Sequence, residues 1–146
     1  MLSLEVEVLD TMNRLLSTTI QSRPLTHSRL KYIASIAQTT EDHVSRLGLG
    51  LSMSLGAIDS DWKPREFDSE SSHRIEINEK QLRGKTLFKS ELPIWMALAM
   101  RHQTPENYEE WRQVMRGHWE RGVEILMAKA VQESDWLHTI RACVPE

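Results

Sequence analysis

Between positions 4 and 20, Val8, Leu9, Met12, Leu15 and Leu16 fall at the three- and four-residue spacing of one helix face, so a first helix is expected over 4–20. Pro24 should end it within 21–26, since the residue before a proline disfavours helical geometry. A short second helix carries Leu30, Ile33, Ile36 and Ala37, with Thr26 and Ser28 as candidate N-caps. Thr39-Thr40-Glu41-Asp42 reads as a restart, with a hydroxyl for an orphan amide and acids to complement the helix dipole. Val44, Leu47, Leu51 and Leu55 then form the apolar face of a third helix, and Gly56 is its left-handed end. Gly48, Gly50, Ser52 and Ser54 among those leucines weaken intrinsic helicity and admit a close-packed neighbour.

Residues 57–73 are polar and turn-rich and read as a loop. Alternation in His73-Arg74-Ile75-Glu76-Ile77 predicts a short half-buried strand, which needs a partner strand to satisfy its backbone. The apolar run Leu92-Pro93-Ile94-Trp95-Met96-Ala97-Leu98-Ala99-Met100-Arg101 reads as a buried core helix. Thr104-Pro105-Glu106 is a helix start signal for an amphipathic helix bearing Tyr108, Trp111, Met115, Trp119, Gly122 and Leu126, which runs to about Ala130 and is divisible at Gly117. Ser134-Asp135 caps a short last helix with Trp136, Leu137 and Ile140. The expected fold class is mainly α: a compact single-domain helical fold with at most one or two short strands, spanning 1–146.

Composition narrows the function. The chain of 146 residues is 40% hydrophobic and 27% charged, with no apolar run of the roughly 18 residues that a membrane span needs. Glu5, Glu7 and Asp10 stand where a secretory leader would be basic, so a cytoplasmic protein without a membrane partner is expected. One cysteine, Cys143, leaves neither an internal disulfide nor a multi-thiolate zinc site. The formal charge of −3 argues against coating DNA by bulk electrostatics, because non-specific affinity comes from cations neutralising phosphates.

Catalytic signatures are missing. Histidines at 27, 43, 73, 102, 118 and 138 form no metal-binding motif, and Asp135-x-x-His138 alone supplies too few ligands, so no metal is implied. No phosphate loop occurs, Gly48-Leu49-Gly50 reads as helix packing, and no cofactor is implied. Cys143, with Arg141 two residues away, reads as an ordinary thiol, not an activated nucleophile. The anion-binding candidate is the window 80–89, with Lys80, Arg83, Lys85 and Lys89 around Gly84 and no acid between them; a solvated face is the bland alternative. Arg29 and Lys31, with Arg23 upstream, form a weaker second group.

The stretch Arg46-Leu47-Gly48-Leu49-Gly50-Leu51-Ser52-Met53, following Gln38-Thr39-Thr40, together with Glu66-Phe67, Leu82-x-Gly84 and His118-x-x-Arg121-Gly122-Val123, resembles the DndE family of DNA sulfur modification proteins. The likeness covers most of residues 25–130, and its motifs are packing motifs. It implies a small helical, non-enzymatic subunit that acts with a cysteine desulfurase, a reductase-like iron-sulfur protein and an ATPase in bacterial DNA phosphorothioation. It also implies a homo-oligomer, a tetramer, with affinity for nicked duplex DNA through surface cations, here Arg29, Lys31, Lys80, Arg83, Lys85 and Lys89. The chain departs from the family in its net acidity, its less lysine-rich opening and an N-terminal helical extension over 1–24.

Two other readings compete. A small ribbon-helix-helix-like transcriptional regulator would pair Arg29 to Lys31 as a strand across a dimer. A protein-only helical scaffold would suit the acidic balance and the tryptophan-rich helices.

Overall fold

The computed structural model describes residues 2–65, 78–133 and 135–144. In chain order its elements are α1 (Leu2–Ser17), β1 (Thr19–Gln21), α2 (Pro24–Ala37), α3 (Glu41–Ser54), β2 (Gln81–Arg83), α4 (Gly84–Phe88), a 3-10 turn (Lys89–Glu91), α5 (Leu92–Ala99), α6 (Tyr108–Gln132) and α7 (Trp136–Cys143). The fold is mainly α, and no helix among the described residues is long and apolar enough to cross a membrane.

The spine is α6. Its apolar residues Trp111, Met115, Trp119, Val123 and Leu126 recur at helical spacing and are all buried, so helices gather around it. The helix begins later than Thr104-Pro105 predicts. Asn107, in extended geometry, accepts a hydrogen bond from the Glu110 amide at 3.0 Å and is the N-cap. Gly117 does not divide the helix, which continues unbroken for 25 residues. As expected, Asp135 caps α7, accepting from the His138 amide at 2.9 Å.

Helix α3 starts where the sequence indicates, with the Thr40 hydroxyl accepting from the His43 amide. Gly56 follows its last turn at φ +117°, a conformation that favours glycine. Its buried face, however, is Val44, Ser45, Gly48, Leu49, Ser52 and Met53, whereas Leu47 and Leu55 are exposed. The small residues win because α3 and α6 cross backbone to backbone: a Cβ on Gly122 would stand 1.7 Å from the Gly48 carbonyl oxygen. Such contact is closed to leucine, so the leucine stripe turns partly outward.

The first helix stops at Ser17, three residues short of the expected end. Thr18, Thr19 and Ile20 are β-branched and favour an extended chain. There β1 pairs antiparallel with β2, Ile20 opposite Leu82, and both side chains enter the core. The expected strand at 73–77 and residues 66–73 of the polar loop lie outside the described residues.

Helix α2 begins at Pro24, with Arg23 as N-cap, and not after Thr26 or Ser28, which are buried within it. Proline is well suited to a first helical position, and the acceptor for the Arg23 amide comes from a distant residue, Glu120 of α6, at 2.8 Å. Glu120 has no exposed surface. Its carboxylate also receives the Arg23 guanidinium and the Thr26 hydroxyl, the latter at 2.8 Å. Helix α5 is only half sunk in the core: Leu92, Met96 and Ala99 are buried, but Ile94 and the following Met100 are exposed.

Candidate nucleic-acid interface

The segment around Gly84 is held by local geometry. In β2 successive side chains alternate, so Leu82 points inward while Gln81 and Arg83 face solvent. Gly84 then packs on the end of α1: its amide donates to the Thr18 carbonyl at 2.9 Å, and a Cβ there would meet the Leu15 carbonyl oxygen at 1.7 Å. Leu87 and Phe88 anchor α4 in the core, and Lys89, at φ 56°, turns the chain toward α5. The result is a fixed turn that leaves Arg83, Lys85 and Lys89 exposed. None of the three is paired with an acid among the described residues.

The other cations expected to bind DNA stand differently. Lys80 pairs with Glu41 at 3.3 Å and reaches Asp42 at 3.8 Å, and Lys31 pairs with the other Glu41 oxygen at 3.5 Å. His27 bridges the Asn78 carbonyl at 2.7 Å and Glu41 at 2.9 Å. Burial by itself would raise the Glu41 carboxyl, but Lys80, His27 and Lys31 outweigh it and hold the group below its ordinary range. These two lysines therefore face a carboxylate already. Arg29 is a correction of position: it is 1% exposed, and its guanidinium donates to the Arg65 carbonyl at 2.9 Å, while Arg65 itself pairs with Glu124. Residues 29–31 are helical, so they do not supply the intersubunit strand of a ribbon-helix-helix dimer.

A second cluster, which the sequence showed only as spaced landmarks, lies where α3 meets α6. Arg121 donates through Nε to the Ser52 hydroxyl at 2.8 Å and through its terminal nitrogens to the carbonyls of Ser52, Gly56 and Ala57. The Ser52 hydroxyl, accepting from Arg121, has its own proton for His118 Nδ1 at 2.9 Å. His118 is buried; that burial, followed by the nearby Arg121 and His102, pushes its pKa down to about 4, so the ring is neutral near pH 7. Ser52 is fully buried, and the cluster fastens the end of α3 to α6.

The sulfur of Cys143 is half-buried, which raises its pKa, and Lys129 offsets only part of this; the thiol form is favoured. An open cleft of about 320 Å³ lies between the 58–60 and 103–105 segments, with Asp59, Gln103 and Glu110 on its walls. Gln103 spans its edge, its amide group bonding both the N–H and the C=O of Ile58.

The sequence landmarks thus meet in space. Gly48 and Ser52 of the first stretch touch Gly122, Arg121 and His118 of the last, and Arg46 donates to the Thr86 carbonyl just past Gly84. No protein-family model, curated protein or solved structure matches the chain.

Proposed function

We propose that this protein is an accessory, non-catalytic subunit of a bacterial DNA phosphorothioation system, a DndE-like protein that contacts the DNA backbone, with nicked duplex as the preferred form. Two things support the reading: the resemblance of the Arg46 to Met53 and His118 to Val123 stretches to that family, and the exposed strip Arg83, Lys85 and Lys89 on its fixed turn. The strip is the observation that carries DNA contact, because phosphate binding needs cations not already committed to carboxylates. Sulfur transfer itself belongs to the partners: the cysteine desulfurase, the reductase-like iron-sulfur protein and the ATPase. A cytoplasmic homo-oligomer, a tetramer by resemblance, repeats a modest strip and gains affinity by multivalency.

The test is binding to matched nicked and intact duplexes across a salt series. The Arg83→Ala, Lys85→Ala, Lys89→Ala triple variant should lose most binding to the nicked duplex and lower the salt slope by roughly 2 to 3. The Lys31→Ala, Lys80→Ala variant should bind almost as the parent does. A triple variant that binds like the parent would remove the strip from the account, and a parent that binds neither duplex would favour the protein-only scaffold.

A further inference from the structure

Residues 6–10 of α1 are exposed, with Val6 63% and Leu9 58% accessible, whereas Met12 packs against the core. Arg14 lies 3.9 Å over the Tyr108 ring and Leu15 is fully buried, so the second half of α1 is firmly seated while residues 6–10 project. A helical segment this exposed is marginal in water, since most helical stability comes from burying an apolar face. The projecting part joins Val6, Val8 and Leu9 to Glu7 and Asp10, with no cation before Arg14.

The complementary surface is on the same chain. Along α5 the outward residues are Pro93, Ile94, Ala97 and, just beyond, Met100, with Ile94 61% accessible and no charge from Leu92 to Met100. Exposed cations border this apolar strip, Lys85 and Lys89 before it and Arg101 after it, with one exposed acid, Glu91, between them.

We propose that the projecting half of α1 docks along the outer face of α5 in a second copy of this chain. Charge complementarity selects this pairing. Two α1 segments laid together would oppose Glu7 and Asp10 to their own copies, whereas α1 on α5 sets those acids, one helical turn apart, beside Arg101 and leaves Lys89 to the cation strip. In a two-fold pair the contact is made twice, each copy giving an arm and receiving one, which doubles the apolar area removed from water. Such self-association does not require DNA.

Sedimentation equilibrium of the full chain from about 1 to about 100 μM tests it, since that range spans association of ordinary strength. The parent should associate reversibly. Val6→Asp with Leu9→Asp should weaken association at least about tenfold, while the urea midpoint of unfolding, taken at a concentration where the parent is dissociated, stays unchanged. Glu7→Lys with Asp10→Lys, and separately Arg101→Glu, should each weaken self-association, and an equal mixture of the two reversed variants should associate more tightly than either alone. A parent that remains monomeric throughout, an aspartate variant that associates like the parent, or a mixture no tighter than its components would each overturn the proposal.

Discussion

Replacing Gly122 by alanine tests the central packing contact of the fold. The added Cβ would lie 1.7 Å from the Gly48 oxygen, 2.2 Å from its carbonyl carbon and 2.7 Å from its Cα, whereas real Cβ contacts under 3.0 Å are essentially never seen. Helices α3 and α6 must therefore move apart by at least 1.3 Å, the difference between 3.0 and 1.7 Å. Backbone opposes the new methyl, so no rotamer change relieves it, and the cost belongs at the upper end of core overpacking, about 3 kcal/mol. Alanine returns about 1 kcal/mol through its better helix propensity. The net expectation is destabilisation of about 2 kcal/mol or more, a fall in Tm of about 4–8 °C for a chain of this size. Gly50→Ala is the control: its nearest neighbours are Trp95 ring atoms at 3.5 and 3.7 Å, an ordinary contact, so it should be neutral or stabilise by up to about 1 kcal/mol. Urea unfolding followed by circular dichroism measures both. A Gly122→Ala protein within about 0.5 kcal/mol of the parent would refute the backbone-to-backbone account, because substitutions away from such features stay inside that range.

Glu120→Gln should destabilise by about 2 kcal/mol, since it removes the charge that the Arg23 amide, the Arg23 guanidinium and the Thr26 hydroxyl all donate to; loss of less than about 1 kcal/mol in urea unfolding would contradict that role. His118 should make the fold acid-sensitive in a defined window. Its folded pKa is about 4 against an ordinary 6.5, so below pH 6.5 the unfolded chain takes up a proton that the folded chain refuses, and stability falls until the pH reaches about 4. Between pH 7 and pH 5 this amounts to about 2 kcal/mol, and a His118→Gln protein should lose that part of the pH dependence. Equal slopes for parent and variant over this interval would show that His118 is not responsible. Glu41, held low by Lys80, His27 and Lys31, stabilises above its unfolded pKa and loses that contribution only as pH falls further, so Glu41→Gln should leave the pH 5 to 7 slope unchanged in the same unfolding series.

What could be read from the sequence was what neighbours in sequence decide. The Asp135 cap, the Thr40 cap and the buried stripe of α6 depend on residues within a turn or two of each other, and all were legible. Features settled by distant residues were not. Periodicity assigned α3 a leucine face, but the approach of Gly122 made the glycine and serine side the buried one. The start of α2 was misplaced because its cap acceptor, Glu120, lies on another helix. The strand 19–21 is too short for its alternation to show, and its partner at 81–83 lies far along the chain. At the candidate interface, counting cations gave a main group of four, Lys80, Arg83, Lys85 and Lys89, and a weaker pair, Arg29 and Lys31; Glu41, Asp42 and the burial of Arg29 divide them differently, and only the folded chain brings those acids to Lys80 and Lys31.

Three consecutive residues of α6 each complete something elsewhere: Glu120 closes the start of α2, Arg121 closes the end of α3, and Gly122 admits the α3 backbone. The first half of the chain thus holds helices whose limits are written in the second half. As the polypeptide leaves the ribosome, α2 and α3 emerge with their ends unsettled, and they acquire fixed boundaries only once residues 120–122 are free to fold against them. Fragments that stop short of this tripeptide should be helical by local preference yet lack cooperative unfolding, making these three positions the point at which a set of nascent helices becomes a single folding unit.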